Sequence, residues 1–148
     1  MRHATWIGVL LLLAASVWIF DGPVAAQEEI DEETVAASSK VPSKIPDEAR
    51  KLENPIPADE ESIEYGKLIF SSQCTLCHGA TGDGSGPLAT KFKYDIPDLS
   101  SAQTQSKRTD GELFYVLTQG HGKMKGEGDR LKEKVRWDIV NYIRTLAK

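Results

Sequence analysis

Both cysteines of this 148-residue chain fall within one pentapeptide, Cys74-Thr75-Leu76-Cys77-His78. Two thiols three residues apart can add to the two vinyl groups on one edge of a porphyrin. A histidine directly after the second thiol is then held beneath the ring, where its imidazole can ligate the iron. The pattern C-x-x-C-H therefore reads as the attachment site of a single c-type haem. Cys74 and Cys77 are the covalent anchors and His78 is one axial ligand.

Three other chemistries use similar residues. A redox-active C-x-x-C pair starts a helix after a strand, whereas the residues before Cys74 have helical periodicity and no alternating βαβ pattern surrounds them. A zinc site needs four nitrogen or sulfur ligands. Beyond the pentapeptide the chain offers only His121 and His3. A disulfide between Cys74 and Cys77 would close a tiny loop and constrain little of the unfolded chain. The haem reading fits best.

The sixth position on haem iron separates electron transfer from small-molecule chemistry. Apart from the initiator, the one methionine is Met124, within Gly120-His121-Gly122-Lys123-Met124-Lys125-Gly126. A methionine used as core filler lies on an apolar face. Flanked by lysines and glycines, Met124 is better placed to bring a thioether to the far face of the haem. His121 is the alternative and would make a bis-histidine site of lower potential. With His78 and Met124 both bound, no coordination position stays open. The chain also shows no nucleophile–base pair. One-electron chemistry at a positive potential remains, so the chain reads as a carrier rather than an enzyme. A haem-based sensor or peroxidase, which needs a labile sixth ligand, is the less favoured class.

These groups have to be positioned by helices. Asp59 reads as an N-cap with Glu60 and Glu61 in the first turn, and Ile63, Gly66, Ile69 and Phe70 recur at helical spacing up to Gln73. Gly66 costs such a helix about 1 kcal/mol against Ala, which points to close approach by another helix. The run from Gly79 to Pro87 matches neither a phosphate loop nor an EF-hand and reads as a turning loop packed on a flat ligand. Lys91 to Lys107 is polar and irregular. Thr109-Asp110-Gly111-Glu112 is a capping box, followed by the apolar face Leu113, Phe114, Val116 and Leu117 and a stop at Gly120. A last helix from about Leu131 to Ala147 carries the stripe Val135, Ile139, Tyr142, Ile143 and Leu146. No stretch reads as a strand. The expected fold is all-α, with three to four helices around the haem in residues 58–148, a domain too small for a large core of its own.

The haem motif near the start of the domain, a methionine some 46 residues later and an amphipathic C-terminal helix together resemble the class I c-type cytochromes. The resemblance covers Asp59 to Lys148. It implies that Gly66 and Phe70 pack against Tyr142, and that the Pro87 carbonyl accepts a hydrogen bond from the ligating His78. Lys125 departs from the pattern, since many relatives have proline after the ligand methionine. Asn54-Pro55-Ile56-Pro57, with Ser62-Ile63 and Gly66-Lys67, is also similar to monohaem subunits of respiratory quinol-oxidising complexes.

Ahead of the domain, a basic start, an apolar run from Ala4 to Phe20 and Val24-Ala25-Ala26 form a secretory pattern, with cleavage expected after Ala26. An uncleaved anchor is the alternative, at the short end of spanning length. Either way the domain is sent across the membrane, which predicts a periplasmic location or the outer face of an energy-transducing membrane. Residues 27–57, acidic and dotted with proline, predict a disordered linker with a reach of about 30 Å. The net charge of −4 divides unevenly. Gln27 to Ser62 holds 11 acidic and 4 basic residues, whereas Ile63 to Lys148 holds 10 acidic and 13 basic. The expected partners are redox proteins drawn to a basic rim, as a free carrier or as a fixed subunit of a membrane respiratory complex. No nucleic-acid motif is present.

Overall fold

The computed structural model describes residues 44–148. The expected leader and the first part of the expected linker lie outside the described residues. Seven helices and one short hairpin follow in order: α1 (Asp47–Arg50), α2 (Glu60–Gln73), α3 (Thr75–His78), α4 (Pro87–Phe92), α5 (Ala102–Ser106), α6 (Asp110–Gln119), β1 (Gly120–His121), β2 (Met124–Lys125) and α7 (Glu133–Thr145). Among the described residues no helix is long and apolar enough to cross a membrane.

The two helix starts legible in the sequence form as expected. The Asp59 side chain accepts from the Ser62 N–H and caps α2. Thr109 and Glu112 form a complete capping box on α6, and Gly120 ends that helix. The last helix is shorter than its apolar stripe suggested, running from Glu133 to Thr145.

The core forms where α2 crosses α7. At Gly66 a side chain would collide with the Asp138 carbonyl and with Tyr142 Cβ, so glycine allows the two backbones to touch. Phe70 and Tyr142 meet beside that crossing, their ring centres 5.3 Å apart and tilted by 59°. Leu117 of α6 and Ile139 and Ile143 of α7 complete the buried cluster. Burying such side chains stabilises the fold by about 1.5–3 kcal/mol each. On the other side of α6, Phe114 stacks on Trp137 at 3.9 Å, with the Arg136 guanidinium 5.0 Å from the Phe114 ring.

Two departures from the expected organisation are evident. Residues 44–57, the end of the expected disordered linker, include helix α1 and lie against the domain. The buried Ala49, lying with Leu52 against Gly111, and several polar side chains hold them there. Arg50 donates to the buried Glu112 at 2.8 Å. Asn54 donates to Asn141 Oδ1 at 2.7 Å, while Asn141 Nδ2 reaches the carbonyls of Ile56 and Pro57. Composition registers too few apolar residues for a core but not these pairings. The second departure is the hairpin, in a chain read as free of strands. Gly120 and Gly122 adopt φ of +83° and +60°, a conformation open to glycine, and allow a tight reversal. Its two-residue strands are too short to show alternation.

Candidate haem-binding site

The end of α2 and the one-turn helix α3 carry the pentapeptide. Cys74 caps α2, and the N–H groups of both Cys77 and His78 donate to the Cys74 carbonyl. The motif is thus wound into a tight turn that presents Cys74 and His78 to one cleft. That cleft is lined by Phe70, Cys74, His78, Leu99, Leu113, Val116, Leu117, Met124, Ile139 and Ile143. Met124 reaches the cleft from β2, where the hairpin register sets Met124 against His121 and Lys125 against Gly120. His121 is exposed and does not line the cleft.

Of the expected site residues, Cys74, His78 and Met124 line this one cleft, and Cys77 lies one helical turn from Cys74. Leu99 was missed. It lies in a stretch dismissed as polar and irregular, yet its N–H donates to the Gly82 carbonyl at 2.7 Å and its side chain reaches the cleft. A lone aliphatic side chain after Pro97-Asp98 was the available signal. The glycine-rich loop takes the turning role expected of it. Within it the Gly84 N–H donates to the His78 carbonyl at 2.8 Å.

The electrostatics suit neutral ligands. Burial holds the His78 imidazole below the usual histidine range, so it is neutral at pH 7 and retains the lone pair a metal requires. The Cys74 thiol is pushed up to about 11, chiefly by burial, then by Glu127 and Cys77. A redox-active C-x-x-C pair needs the reverse, a depressed thiol. Among the described residues no cluster of three or more His, Cys, Asp or Glu side chains could hold a bare metal ion, so a zinc centre finds no ligand set here.

One expectation is corrected. The hydrogen bond from His78 to the Pro87 carbonyl is not formed, because His78 Nδ1 is buried without a partner. Pro87 is the first residue of α4, where a carbonyl points along the helix toward the residue four on. The imidazole is instead placed by packing, tilted against Phe70 at 6.2 Å.

A cleft with apolar walls that is lined by the Cys74 thiol, the His78 imidazole and the Met124 thioether, with Cys77 one helical turn from Cys74, fits a covalently attached haem. The His78 ring in this cleft fits the same group, since a ligand role accounts for a largely buried imidazole in apolar surroundings.

The family model described as "Cytochrome C oxidase, cbb3-type, subunit III" matches residues 61–143. The chain belongs to this family of c-type cytochromes. As a c-type cytochrome domain of the monohaem class I kind, it carries one covalently attached haem c and transfers electrons. A cytochrome c6 from Bumilleriopsis filiformis is 30% identical over 81 residues, covering 55% of this chain and 87% of that protein. The Cbb3-type cytochrome c oxidase subunit FixP of Azorhizobium caulinodans is 28% identical over 106 residues, or 71% of this chain. The chain spans only 34% of the length of that subunit. Among solved structures, the reducing HAO-like protein complex of Kuenenia stuttgartiensis aligns with a TM-score of 0.57 at 25% identity, covering 64% of this chain and 47% of the other. The helical cytochrome c fold is the architecture described above.

Proposed function

We propose that this cytochrome is a single-electron carrier on the far side of an energy-transducing membrane. Cys74 and Cys77 are its haem anchors, and His78 and Met124 its axial ligands. The carrying observation is the convergence of Cys74, His78 and Met124, from elements far apart in the chain, on one apolar cleft. When bound, haem supplies an iron couple that takes up or releases one electron. The residues of this chain do the rest. His78 offers a neutral imidazole, and Met124 a neutral thioether that favours the reduced iron. With both axial positions filled no site is left for a substrate, which supports a carrier rather than an enzyme. The apolar run of residues 4–20 and the small residues before Gln27 support export, with the leader cleaved or kept as a tether.

Met124→Ala tests this reading. Haem stays attached, the oxidised-state spectrum loses its thioether character and the potential falls. An unchanged spectrum and potential would refute ligation by Met124.

The family match favours a second reading, a subunit fixed within a larger membrane oxidoreductase that passes electrons to neighbouring redox proteins. Purification from native membranes separates the two. Recovery as a free monomer rejects the subunit reading, and co-purification with other redox proteins rejects the free carrier.

A further inference from the structure

One charge pair is bonded to a cleft residue and to a neighbour of another, and does not itself line the cleft. Glu127 stands three residues after Met124, and its N–H donates to the carbonyl of the cleft residue Leu117 at 2.8 Å. Its side chain is 21% exposed. Oε1 accepts from Arg130 Nη1 at 3.3 Å. Oε2, 3.1 Å from the same nitrogen, is buried and accepts no hydrogen bond. Arg130 extends Nη2 to Gln73 Oε1 at 2.9 Å, and Gln73 directly precedes Cys74. The Glu127–Arg130 pair thus bridges the loop that carries Met124 to the first attachment cysteine. The field of the carboxylate reaches that cysteine, because Glu127 follows burial among the causes that raise the Cys74 thiol.

We propose that Glu127 and Arg130 are potential-setting residues, their opposite charges acting on the haem edge bonded to Cys74. The inference rests on the ligation reading above. Reduction adds one electron from the donor to the iron. It makes or breaks no bond at either side chain and moves no proton there. A carboxylate beside the edge favours the oxidised iron, and a guanidinium favours the reduced one. Glu127 is largely buried, where a unit charge acts far more strongly than in water, whereas the Arg130 side chain is 65% exposed and more strongly screened. Oε2 of Glu127 is buried and accepts no hydrogen bond, and its charge is paired with the Arg130 guanidinium at 3.1 Å.

The test is potentiometric titration of the full-length holoprotein and of the variants Glu127→Gln, Arg130→Gln and the double variant at pH 7. Glu127→Gln raises the potential and Arg130→Gln lowers it. Glu127→Gln changes the equilibrium constant for electron exchange with a fixed mediator by about fivefold, the scale of one partly screened charge, and Arg130→Gln changes it by less. The double variant falls between the two. Arg130→Lys, which keeps the charge, stays near the parent. A purely mechanical clip predicts that both single variants loosen the Met124 loop and lower the potential together. Shifts of equal sign, or none with haem attached and the thioether spectrum intact, overturn the proposal. Absence of covalent haem from the parent protein would instead sink the ligation reading on which it depends.

Discussion

Gly66 of α2 lies directly against the backbone carbonyl of Asp138 in α7, with no room between them for a Cβ. This one contact fixes the separation of the two helices that carry Phe70 and Tyr142, and through Phe70 it sets the wall behind His78. Gly66→Ala would improve helix propensity by about 1 kcal/mol but force the backbones apart. Overpacking of this kind costs about 1–3 kcal/mol. We expect a net loss of stability, read as a lower denaturant midpoint of the holoprotein. An unchanged or higher midpoint would mean that the crossing is looser than described.

The polar network beneath the crossing should matter as much. Asn141 Nδ2 reaches the carbonyls of Ile56 and Pro57 and the hydroxyl of Ser62, which itself donates to the fully buried Asp138 at 2.7 Å. Asn141→Ala leaves these acceptors, and the Asn54 amide, without a partner. Unsatisfied buried groups cost about 1–3 kcal/mol. The expected result is a loss of about 2–3 kcal/mol, accompanied by new protease cleavage within residues 44–57. Resistance of that segment in the variant would show that other contacts hold it.

His121 is the control for the methionine. Its side chain is exposed on β1 and outside the cleft. His121→Ala should leave the oxidised-state spectrum and the potential where they are. A spectral change matching that expected for Met124→Ala would transfer the sixth-ligand role to the histidine.

The loop after the haem motif carries its own acid sensitivity. Asp83 accepts from the Ser85 hydroxyl at 2.6 Å and from its N–H at 2.9 Å. The Ser85 hydroxyl first, then its N–H and the Thr81 side chain, hold the Asp83 carboxyl below its usual value of 3.8. A lowered folded-state value contributes stability above the unfolded value, and that contribution is lost as pH falls through the lowered one. Titration of the Asp83 carboxyl carbon by NMR should give a midpoint below 3.8 in the parent protein. In Ser85→Ala it should move up toward that value. An unmoved midpoint would show that the hydroxyl contributes nothing.

Local features of this protein were determined by its residues alone. The spacing of Cys74, Cys77 and His78 states its chemistry within five residues. Asp59, Thr109, Glu112 and Gly120 mark helix ends through bonds to neighbours three or four positions away, and the stripe through Ile139 and Ile143 shows which face of α7 turns inward. Met124 stood out in the sequence as a lone thioether among lysines and glycines, and it reaches the cleft, where it also packs against the core.

Relations between residues distant in the chain were decided only by the tertiary structure. His78 and Met124 share a cleft because α2, α6 and α7 pack as they do, and no periodicity records that distance. The attachment of residues 44–57 rests on the contact of Ala49 with Gly111 and on single polar pairs such as Arg50 with Glu112 and Asn54 with Asn141, which composition averages away. Leu99 reaches the cleft through a backbone bond to Gly82. The expected bond from His78 to Pro87 failed for the same reason. A ring placed by packing against Phe70 owes its orientation to the surrounding volume, and a motif specifies residue types and spacing but not the shape of the space they enter.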